Sequence, residues 1–366
     1  MAQKTSSNTI HDIARRLNVS STTVWRAINN QPRISEDTRK RVMAEVDRLG
    51  YQPSLVAQNL SWGRTHTIGV VVPTISNPVH AALVRAVEQS AFDRDYSITL
   101  CDTDFNLDRQ QRYLDLLIRR RVEGVLLVPY ATGPSNDDVA HLSLLLKAGI
   151  SVVCMQQKLT SDYVSQVLPD NFGAARDMTR HLISLGHQRI AFLHAGIAPW
   201  QVSINERLMG YCSATEEAGY AIDPKLIVDA GSFQSSLNDA GEFYEDRVKK
   251  LLRSANRPTA IFAPVDVLAI KVMSVARGLG MHIPDDVAIV GFDNIQMSSY
   301  TDPALTTVQH PANAVGRNAA ELLFQQLAGT SGSSEPTLER VPCELVIRRS
   351  CGASMAVPLV PSACGS

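Results

Sequence analysis

The feature that most constrains this chain is a pair of short, capped helical segments near its amino terminus. Thr9 and Asp12 have the spacing of a capping box, in which each side chain satisfies a backbone N–H at the start of a helix. Apolar residues then recur at i, i+3, i+4 and i+7 over residues 10–17, which indicates one buried helical face. Residues 18–19 interrupt this pattern, and Ser20 is a suitable N-cap for a second helix.

A third helix is predicted between Ser35, as its N-cap, and Gly50, which suits the left-handed conformation at a helix end. Val42, Val46 and Leu49 would face the first two helices. Three short helices with a tight turn between the first two form a helix-turn-helix unit. In such units the second helix enters the major groove of DNA, so a small all-α DNA-binding head is predicted.

The second helix presents polar side chains on the face away from its apolar stripe. Ser21, Thr22 and Arg26 lie on that face and are the candidates for reading bases. An arginine there can donate two hydrogen bonds to guanine, worth roughly 1–3 kcal/mol of discrimination, although an ordinary surface arginine is the alternative. Short polar groups suit phosphates, which position a protein on DNA without specifying sequence. The candidates for phosphate contact are Ser20, Thr23 and Asn29.

Charge is unevenly distributed along the chain. Residues 1–66 hold ten Lys or Arg and five Asp or Glu, a net +5, and the whole chain carries −1, which leaves −6 for the remainder. A basic head on an acidic body is typical of a phosphate-binding module, with a solvated charged face as the plainer alternative.

Several classes of function are disfavoured by the sequence. The polar start and the lack of a run of about 18 apolar residues predict neither a secretory signal nor a membrane span, and hence a cytoplasmic location. The six cysteines are scattered without a CxxC spacing, so neither a metal site nor a disulfide framework is expected. Dinucleotide, P-loop, zincin and nucleophile-elbow motifs are missing, so we expect no enzyme and no cofactor.

Beyond residue 67, β-rich apolar runs alternate with amphipathic helical stretches, a pattern typical of parallel sheets covered by helices. Strands are predicted at 68–72, 97–100, 124–128, 151–154, 189–193, 260–263 and 287–291. Helical stretches include 79–93, 108–120, 137–147, 173–184, 205–217 and 267–277. The two sets split near residues 169–170, which predicts two lobes. Because ligands of such sheets bind beyond the carboxyl ends of the strands, facing lobes would form a ligand cleft.

Six stretches of the head form a chained pattern: TIHDIA (9–14), VSSTTV (19–24), RAIN (26–29), PRISEDTR (32–39), LGYQP (49–53) and AQNL (57–60). With them the head resembles that of the LacI/GalR family of bacterial transcriptional repressors. The resemblance continues to about residue 350 through ISNP (75–78), VEGV (122–125), DN (170–171), LGHQRI (185–190), RLMGY (207–211), IPDDV (283–287), GFD (291–293) and PALTTV (303–308). It implies a periplasmic-binding-protein-like core of two doubly wound parallel-sheet lobes.

The resemblance also implies that the three base-reading candidates contact bases. Residues near 54–62 would form a hinge helix ordered on operator DNA, with Leu60 as a minor-groove wedge. From the residues alone, a plain linker with Leu60 packed on the body is the alternative. Trp25 departs from the small residue usual in the family. It can pack beside the DNA backbone, donate to a phosphate or bury partly against the third helix, and we predict backbone contact.

The resemblance divides the chain into a DNA-binding domain (1–52), a hinge and linker (53–66), a two-lobed ligand-binding and dimerisation core (67–350) and a disordered tail (351–366). The first lobe would comprise residues 67–167 and 311–338, and the second 168–308 and 339–350. The chain would cross between lobes near 165–170, 308–312 and 336–341. Because the sequence after the core has no leucine heptad, a homodimer is expected.

Cleft candidates follow from strand ends and from matching family positions. Arg207 and Asp293 match the positions most often used to hold polar ligand groups, with a structural salt bridge as the alternative. Phe233 offers a stacking face or belongs to the lobe core. Weaker candidates are Asp266, Gln156, His80 and Val79. Several of these are unusual for the family, which points towards an acidic or modified ligand.

The sequence thus predicts a transcriptional repressor that binds a pseudo-palindromic operator as a homodimer. A small-molecule effector in the cleft, such as a sugar or sugar acid, would control its DNA affinity. A solute-binding receptor is the alternative, because the body alone resembles such proteins.

Overall fold

A computed structural model describes residues 9–51, 64–129, 137–159, 161, 163–194, 202–231, 244–329 and 335–353. The chain separates into two compact units, Met1–Thr65 and His66–Ser366. Leu60 with most of the predicted hinge segment, Phe233 and residues 354–366 of the predicted tail lie outside the described residues.

In its described residues, 9–51 and 64–65, the first unit contains three helices, α1 (Ile10–Leu17), α2 (Ser21–Ile28) and α3 (Glu36–Leu49). The predicted capping box is present at the start of α1, and Gly50 ends α3 with a φ of 58°. The small core between the helices comprises Ile13, Ala14, Val24, Ala27, Val42 and Val46. The helix-turn-helix prediction is therefore confirmed.

The second unit alternates strands and helices. Its strands are β1 (Thr67–Val72), β2 (Ser97–Asp102), β3 (Gly124–Leu127), β4 (Ser151–Met155), β5 (Ser165–Pro169), β6 (Ile190–His194), β7 (Ile227–Asp229), β8 (Ala260–Phe262), β9 (Ala288–Val290), β10 (Thr307–Gln309), β11 (Leu338–Val341) and β12 (Glu344–Val346). Its helices are α4 (Pro78–Phe92), α5 (Leu107–Arg119), α6 (Asp137–Lys147), α7 (Asn171–Ser184), α8 (Val202–Glu217), α9 (Glu245–Arg253), α10 (Asp266–Gly278) and α11 (Ala312–Leu327).

Two parallel sheets organise this unit into two lobes. The first lobe holds six strands in the order β11-β5-β4-β3-β1-β2, with α4 and α11 packed on one face and α5 and α6 on the other. The second lobe holds β7-β6-β8-β9, with α7 and α8 on one face and α9 and α10 on the other. The predicted doubly wound architecture is confirmed.

The chain passes between the two lobes at three places. It leaves the first sheet between β5 and α7, returns between β10 and α11, and leaves again between β11 and β12. The strands β10 and β12 pair with each other antiparallel. The crossings gather polar residues from distant parts of the sequence at the junction of the lobes.

Two features of the fold, five additional strands and a buried Cys351, go beyond the sequence prediction. The strands β5, β7, β10, β11 and β12 are not predicted from the sequence, because they are short and, unlike the equally short β8 and β9, each contains polar residues. Beyond the predicted end of the core at residue 350, Cys351 is fully buried against the second-lobe core. Among the described residues, no helix is long and apolar enough to cross a membrane.

Candidate nucleic-acid interface and ligand cleft

The start of α2 is fixed by local hydrogen bonds. Ser20 Oγ accepts from the Thr23 N–H at 3.0 Å and lies 2.9 Å from Thr23 Oγ1. Ser21 Oγ lies 2.9 Å from His11 Nδ1, which ties α2 to α1. At the other end, Asn29 Nδ2 donates to the carbonyl of Trp25 at 2.9 Å. Several predicted DNA contacts therefore also hold the helix in place.

Thr22 and Arg26 differ from these neighbours. Thr22 is exposed and Arg26 is half-buried. Within the part of the chain that the structure describes, neither side chain has a hydrogen-bond or ion-pair partner. Their predicted contacts with base edges stay a prediction. Trp25 is half-buried, and its predicted contact with the DNA backbone stays a prediction.

In the second lobe, the structure brings together the two strongest cleft candidates. Arg207 on α8 places its Nη1 3.6 Å from Oδ1 of Asp293, which lies just beyond the carboxyl end of β9. The guanidinium carbon lies 3.6 Å from the ring centroid of Phe292, and Nη1 donates to the carbonyl of Pro264. Arg207 is only 3% exposed. The pair is thus a buried ion pair within one lobe, at the strand ends where ligands of such sheets bind.

Burial sets the electrostatics of this pair. It raises the pKa of the Asp293 carboxyl to about 7, and the Arg207 guanidinium opposes that shift. Burial also lowers the pKa of Arg207, against the charge of Asp293. The backbone of Asp293 has a φ of 120°, a strained conformation for a residue with a side chain. Such strain is concentrated at functional sites.

A glycine allows Arg207 to reach its partners. Gly210 lies one turn further along α8, and a Cβ there would collide with the carbonyl oxygen of Phe172 on α7. Without a side chain at this point, the two helices approach closely. Arg207 Nε can then donate to Oδ1 of Asn171, the first residue of α7, at 2.9 Å.

Asp266 is fully buried, and both of its carboxyl oxygens have protein partners. Oδ1 accepts from Thr307 Oγ1 at 2.5 Å, and Oδ2 accepts from the Ile295 N–H at 2.9 Å. Burial raises its pKa to about 8, and the nearby charge of Asp293 adds to the shift. Asp266 therefore anchors the segment that carries Asp293 to strand β10, and sequence reasoning missed this structural role.

The first lobe contributes the remaining candidates. Val79 belongs to the hydrophobic core cluster of that lobe, so it is a packing residue. His80 is also buried, and its Nδ1 lies 2.8 Å from the Thr74 carbonyl oxygen. Burial lowers the pKa of His80 to about 4. Gln156, beyond β4, has a φ of 72°, and its buried Oε1 has no hydrogen-bond partner among the described residues.

Sequence reasoning missed His310, at the crossing between β10 and α11. It is 3% exposed, and in the described part of the chain neither ring nitrogen has a hydrogen-bond partner. Burial lowers its pKa well below the ordinary value, and the positive charge of Arg207 lowers it further. Its backbone N–H donates to the Asp293 carbonyl oxygen at 3.4 Å, which places His310 next to the ion pair. The signal was its position two residues beyond the PALTTV motif, at the end of a strand.

Comparison with known proteins agrees with this geometry. Residues 9–54 match the model of the bacterial regulatory proteins of the lacI family, and residues 179–351 match a periplasmic binding protein-like domain. The HTH-type transcriptional repressor PurR of Photobacterium profundum is 33% identical over 343 residues, which cover 93% of this chain and 98% of that protein. This chain belongs to the LacI family.

Solved structures of similar proteins support the LacI-family fold. The lac repressor dimer bound to operator and the anti-inducer ONPF has a TM-score of 0.82 at 22% identity, over 95% of this chain and 100% of that one. The complex of the transcriptional regulator CelR with cellobiose has a TM-score of 0.68 at 28% identity, over 94% and 99% of the two chains. The LacI-family relatives of this chain are transcriptional regulators, and this chain is a DNA-binding regulator of the same kind.

Proposed function

We propose that this LacI-family protein is a repressor that binds a pseudo-palindromic operator as a homodimer. A small, hydroxyl-rich molecule in the cleft between the lobes would change its affinity for that operator. The observation that carries the proposal is the buried Arg207–Asp293 pair beside His310. The backbone N–H of His310 donates to the Asp293 carbonyl, and its two ring nitrogens lack partners among the described residues.

The chemistry of these groups favours a polyol over an acid. The charge of Arg207 is already matched by Asp293, and its guanidinium donates to Asn171 and Pro264. A carboxylate or phosphate would need a further positive charge. A neutral imidazole such as that of His310 offers one donor and one acceptor, and a ligand hydroxyl can serve both. The cellobiose bound by CelR is a ligand of this class.

Ligand contact with both lobes would supply the regulatory effect. Gln156 and His80 belong to the first lobe, whereas Arg207 and Asp293 belong to the second. A ligand that bridges them binds one lobe arrangement better than another and shifts the equilibrium by that difference. The exposed Thr22 and the half-buried Arg26 of two heads would read the two half-sites of the operator.

The ligand half of the proposal is tested by thermal-shift measurements on the full chain with neutral sugars, sugar acids, phosphorylated sugars and nucleobases. Binding stabilises by mass action, by about 2.7 kcal/mol at a hundredfold excess over Kd. A stabilising neutral sugar should lose its effect on Asp293→Asn, which keeps the shape of the side chain. Stabilisation by sugar acids alone would contradict the polyol assignment.

The DNA half is tested by fluorescence anisotropy with a palindrome from upstream of the protein's own gene and with random DNA. Specific sites are bound about 10³-fold or more tightly than random DNA at physiological salt. Equal affinity for the two duplexes would refute sequence-specific binding. Asp293→Asn serves as the control here, because it should keep operator affinity while losing the response to ligand.

A further inference from the structure

One face of helix α8 carries three residues that serve two different roles. Ser203, Glu206 and Arg207 follow one another at i, i+3 and i+4, so they lie on the same side of the helix. All three are buried. Arg207 belongs to the proposed ligand site, whereas Ser203 and Glu206 contact the other lobe.

Ser203 and Glu206 both make hydrogen bonds across the lobe boundary. Ser203 Oγ donates to Oε1 of Gln157 at 2.8 Å, and Gln157 lies just beyond β4 in the first-lobe sheet. Glu206 Oε1 accepts from Nη2 of Arg340 at 3.2 Å, and Arg340 is part of the edge strand β11 of the same sheet. Helix α8 itself packs in the second lobe. These two contacts therefore hold one lobe against the other.

Asn171 connects the second of these contacts to the ligand site. Its Nδ2 donates to the other oxygen of Glu206, Oε2, at 3.2 Å. Its Oδ1 accepts from Arg207 Nε at 2.9 Å. Because a carboxylate can only accept and a guanidinium can only donate, these two partners fix the orientation of the amide. A continuous chain of hydrogen bonds thus runs from Arg340 through Glu206 and Asn171 to Arg207.

We propose that Glu206 is a positioning residue that couples the ligand site to the arrangement of the lobes. Ser203, on the same helix face, provides a second hydrogen bond between the lobes. Rotation of the lobes moves Arg340 relative to Glu206, since Arg340 is part of the first-lobe sheet and Glu206 is on a helix of the second lobe. That movement changes how Glu206 holds Asn171 and hence how Asn171 holds Arg207. The inference rests on the proposed function in that the ligand acts at Arg207.

Hydrogen–deuterium exchange of the full chain, followed by mass spectrometry, tests this without a ligand. Glu206→Gln removes the ion pair with the side-chain shape kept, and Arg340→Gln removes it with a shorter neutral side chain. We expect amide exchange at the lobe crossings (165–171, 307–312 and 338–344) to accelerate at least threefold in both variants. Arg340→Lys retains the charge and should remain nearer to the unmodified protein.

Matched controls lie on the same helix. Glu217 pairs with Arg180 within the second lobe, so Glu217→Gln should leave exchange at the crossings unchanged. Ser213 bonds to Glu217 within α8, so Ser213→Ala controls for Ser203→Ala, which should accelerate exchange at the crossings. A role confined to general stability would raise exchange throughout the lobes, and that result would overturn the proposal.

The outcome is separable from that of the proposed function. Unchanged exchange at the crossings in both Glu206→Gln and Arg340→Gln would overturn the coupling role, even in a protein that binds operator and ligand. Accelerated exchange confined to the crossings would support it, even if no operator were found. Should Glu206→Gln fail to fold, exchange in Arg340→Gln tests the coupling role by itself. The Arg340 side chain is 39% exposed, so its loss leaves the lobe cores intact.

Discussion

In the head, the residues expected to read DNA lie at or near the surface, whereas in the body the proposed ligand residues are almost fully buried. Thr22 and Arg26 lie within one helix that is held by its own caps. Arg207, Asp293 and His310 come from three distant segments and are at most about a tenth exposed. A base edge must be reached from outside, but a cleft gains strength by excluding water from its polar groups.

This difference determines what a substitution can change. In the head, a base-reading side chain without protein partners can be removed with little effect on folding. In the body, each site residue is also a partner of another buried group, so its removal leaves that group unsatisfied. Binding and stability should therefore separate in the head and remain linked in the cleft.

The largest effect is expected for Arg207→Ala. Removing one partner of a buried ion pair typically costs about 3–5 kcal/mol. Here the loss leaves the Asp293 carboxyl without its partner and the buried acceptors of Asn171 and Pro264 without their donor. Urea denaturation of the full chain would measure the loss. Arg180→Ala is the control, because Arg180 pairs with Glu217 at the surface and should cost less than about 1 kcal/mol. Equal losses of stability in the two variants would contradict the claim that the cleft residues of the body also support its stability.

Arg26→Ala tests the head in the opposite sense. We expect operator affinity to fall by about 1–3 kcal/mol and discrimination at one base pair to relax, while the free energy of unfolding stays within about 0.5 kcal/mol. Anisotropy titrations on the operator and on single-base variants would measure both. Arg15→Ala, an exposed arginine on α1, should weaken binding to all duplexes equally or leave it unchanged. A large loss of stability on Arg26→Ala would contradict the separation.

The same contrast explains how much the sequence could predict. The head was predictable almost to the residue, because the capping box, the apolar spacing and Gly50 are local signals within 42 consecutive residues. In the body, the seven longer or more apolar strands followed from periodicity, and Arg207 and Asp293 were named as ligand candidates from resemblance, with the salt bridge between them only as the alternative. His310 was missed, because it comes close to Arg207 only in the folded chain, where the segment between β10 and α11 passes from one lobe to the other.

Asp266 illustrates a second limit. A carboxylate beyond a strand and at the start of a helix is equally suited to a ligand or to an internal anchor. Only the fold shows that Thr307 and the Ile295 backbone, about 30 to 40 residues away, occupy both of its oxygens. Likewise, Cys351 is buried by packing that local composition does not reveal.

Acidification provides a third test, directed at the buried histidines of the body. Burial lowers the pKa of His80 to about 4 in the folded protein, against about 6.5 in the unfolded chain, so chiefly the unfolded chain takes up a proton as the pH falls from 6.5 to 5. Its contribution should therefore lower the free energy of unfolding by about 2 kcal/mol between pH 6.5 and pH 5. The raised pKa values of Asp293 and Asp266 act in the opposite direction, so the difference between His80→Gln and the unmodified protein is the quantity to measure.

Denaturation curves at pH 7, 6 and 5 give that difference. We expect His80→Gln to be less sensitive to acid than the unmodified chain. His282→Gln is the control, since the His282 side chain is 83% exposed, and it should follow the unmodified chain at every pH. Parallel curves for His80→Gln and the unmodified chain would show that His80 does not resist protonation, and would weaken the contrast between buried and exposed sites.

The smallest effect concerns Ser20. At this residue of the head, DNA binding and stability should not be separable. Ser20 caps α2 through the Thr23 N–H, and Ser35 caps α3 through the Thr38 N–H in the same way. Each Ser→Ala change should cost about 1 kcal/mol of stability. Only Ser20 was also predicted to contact a phosphate, so Ser20→Ala should weaken binding to operator and random DNA alike, and Ser35→Ala should not. A phosphate contact would contribute to the binding of any duplex. If both variants lose stability and neither loses DNA affinity, Ser20 therefore acts only as a helix cap and does not contact a phosphate.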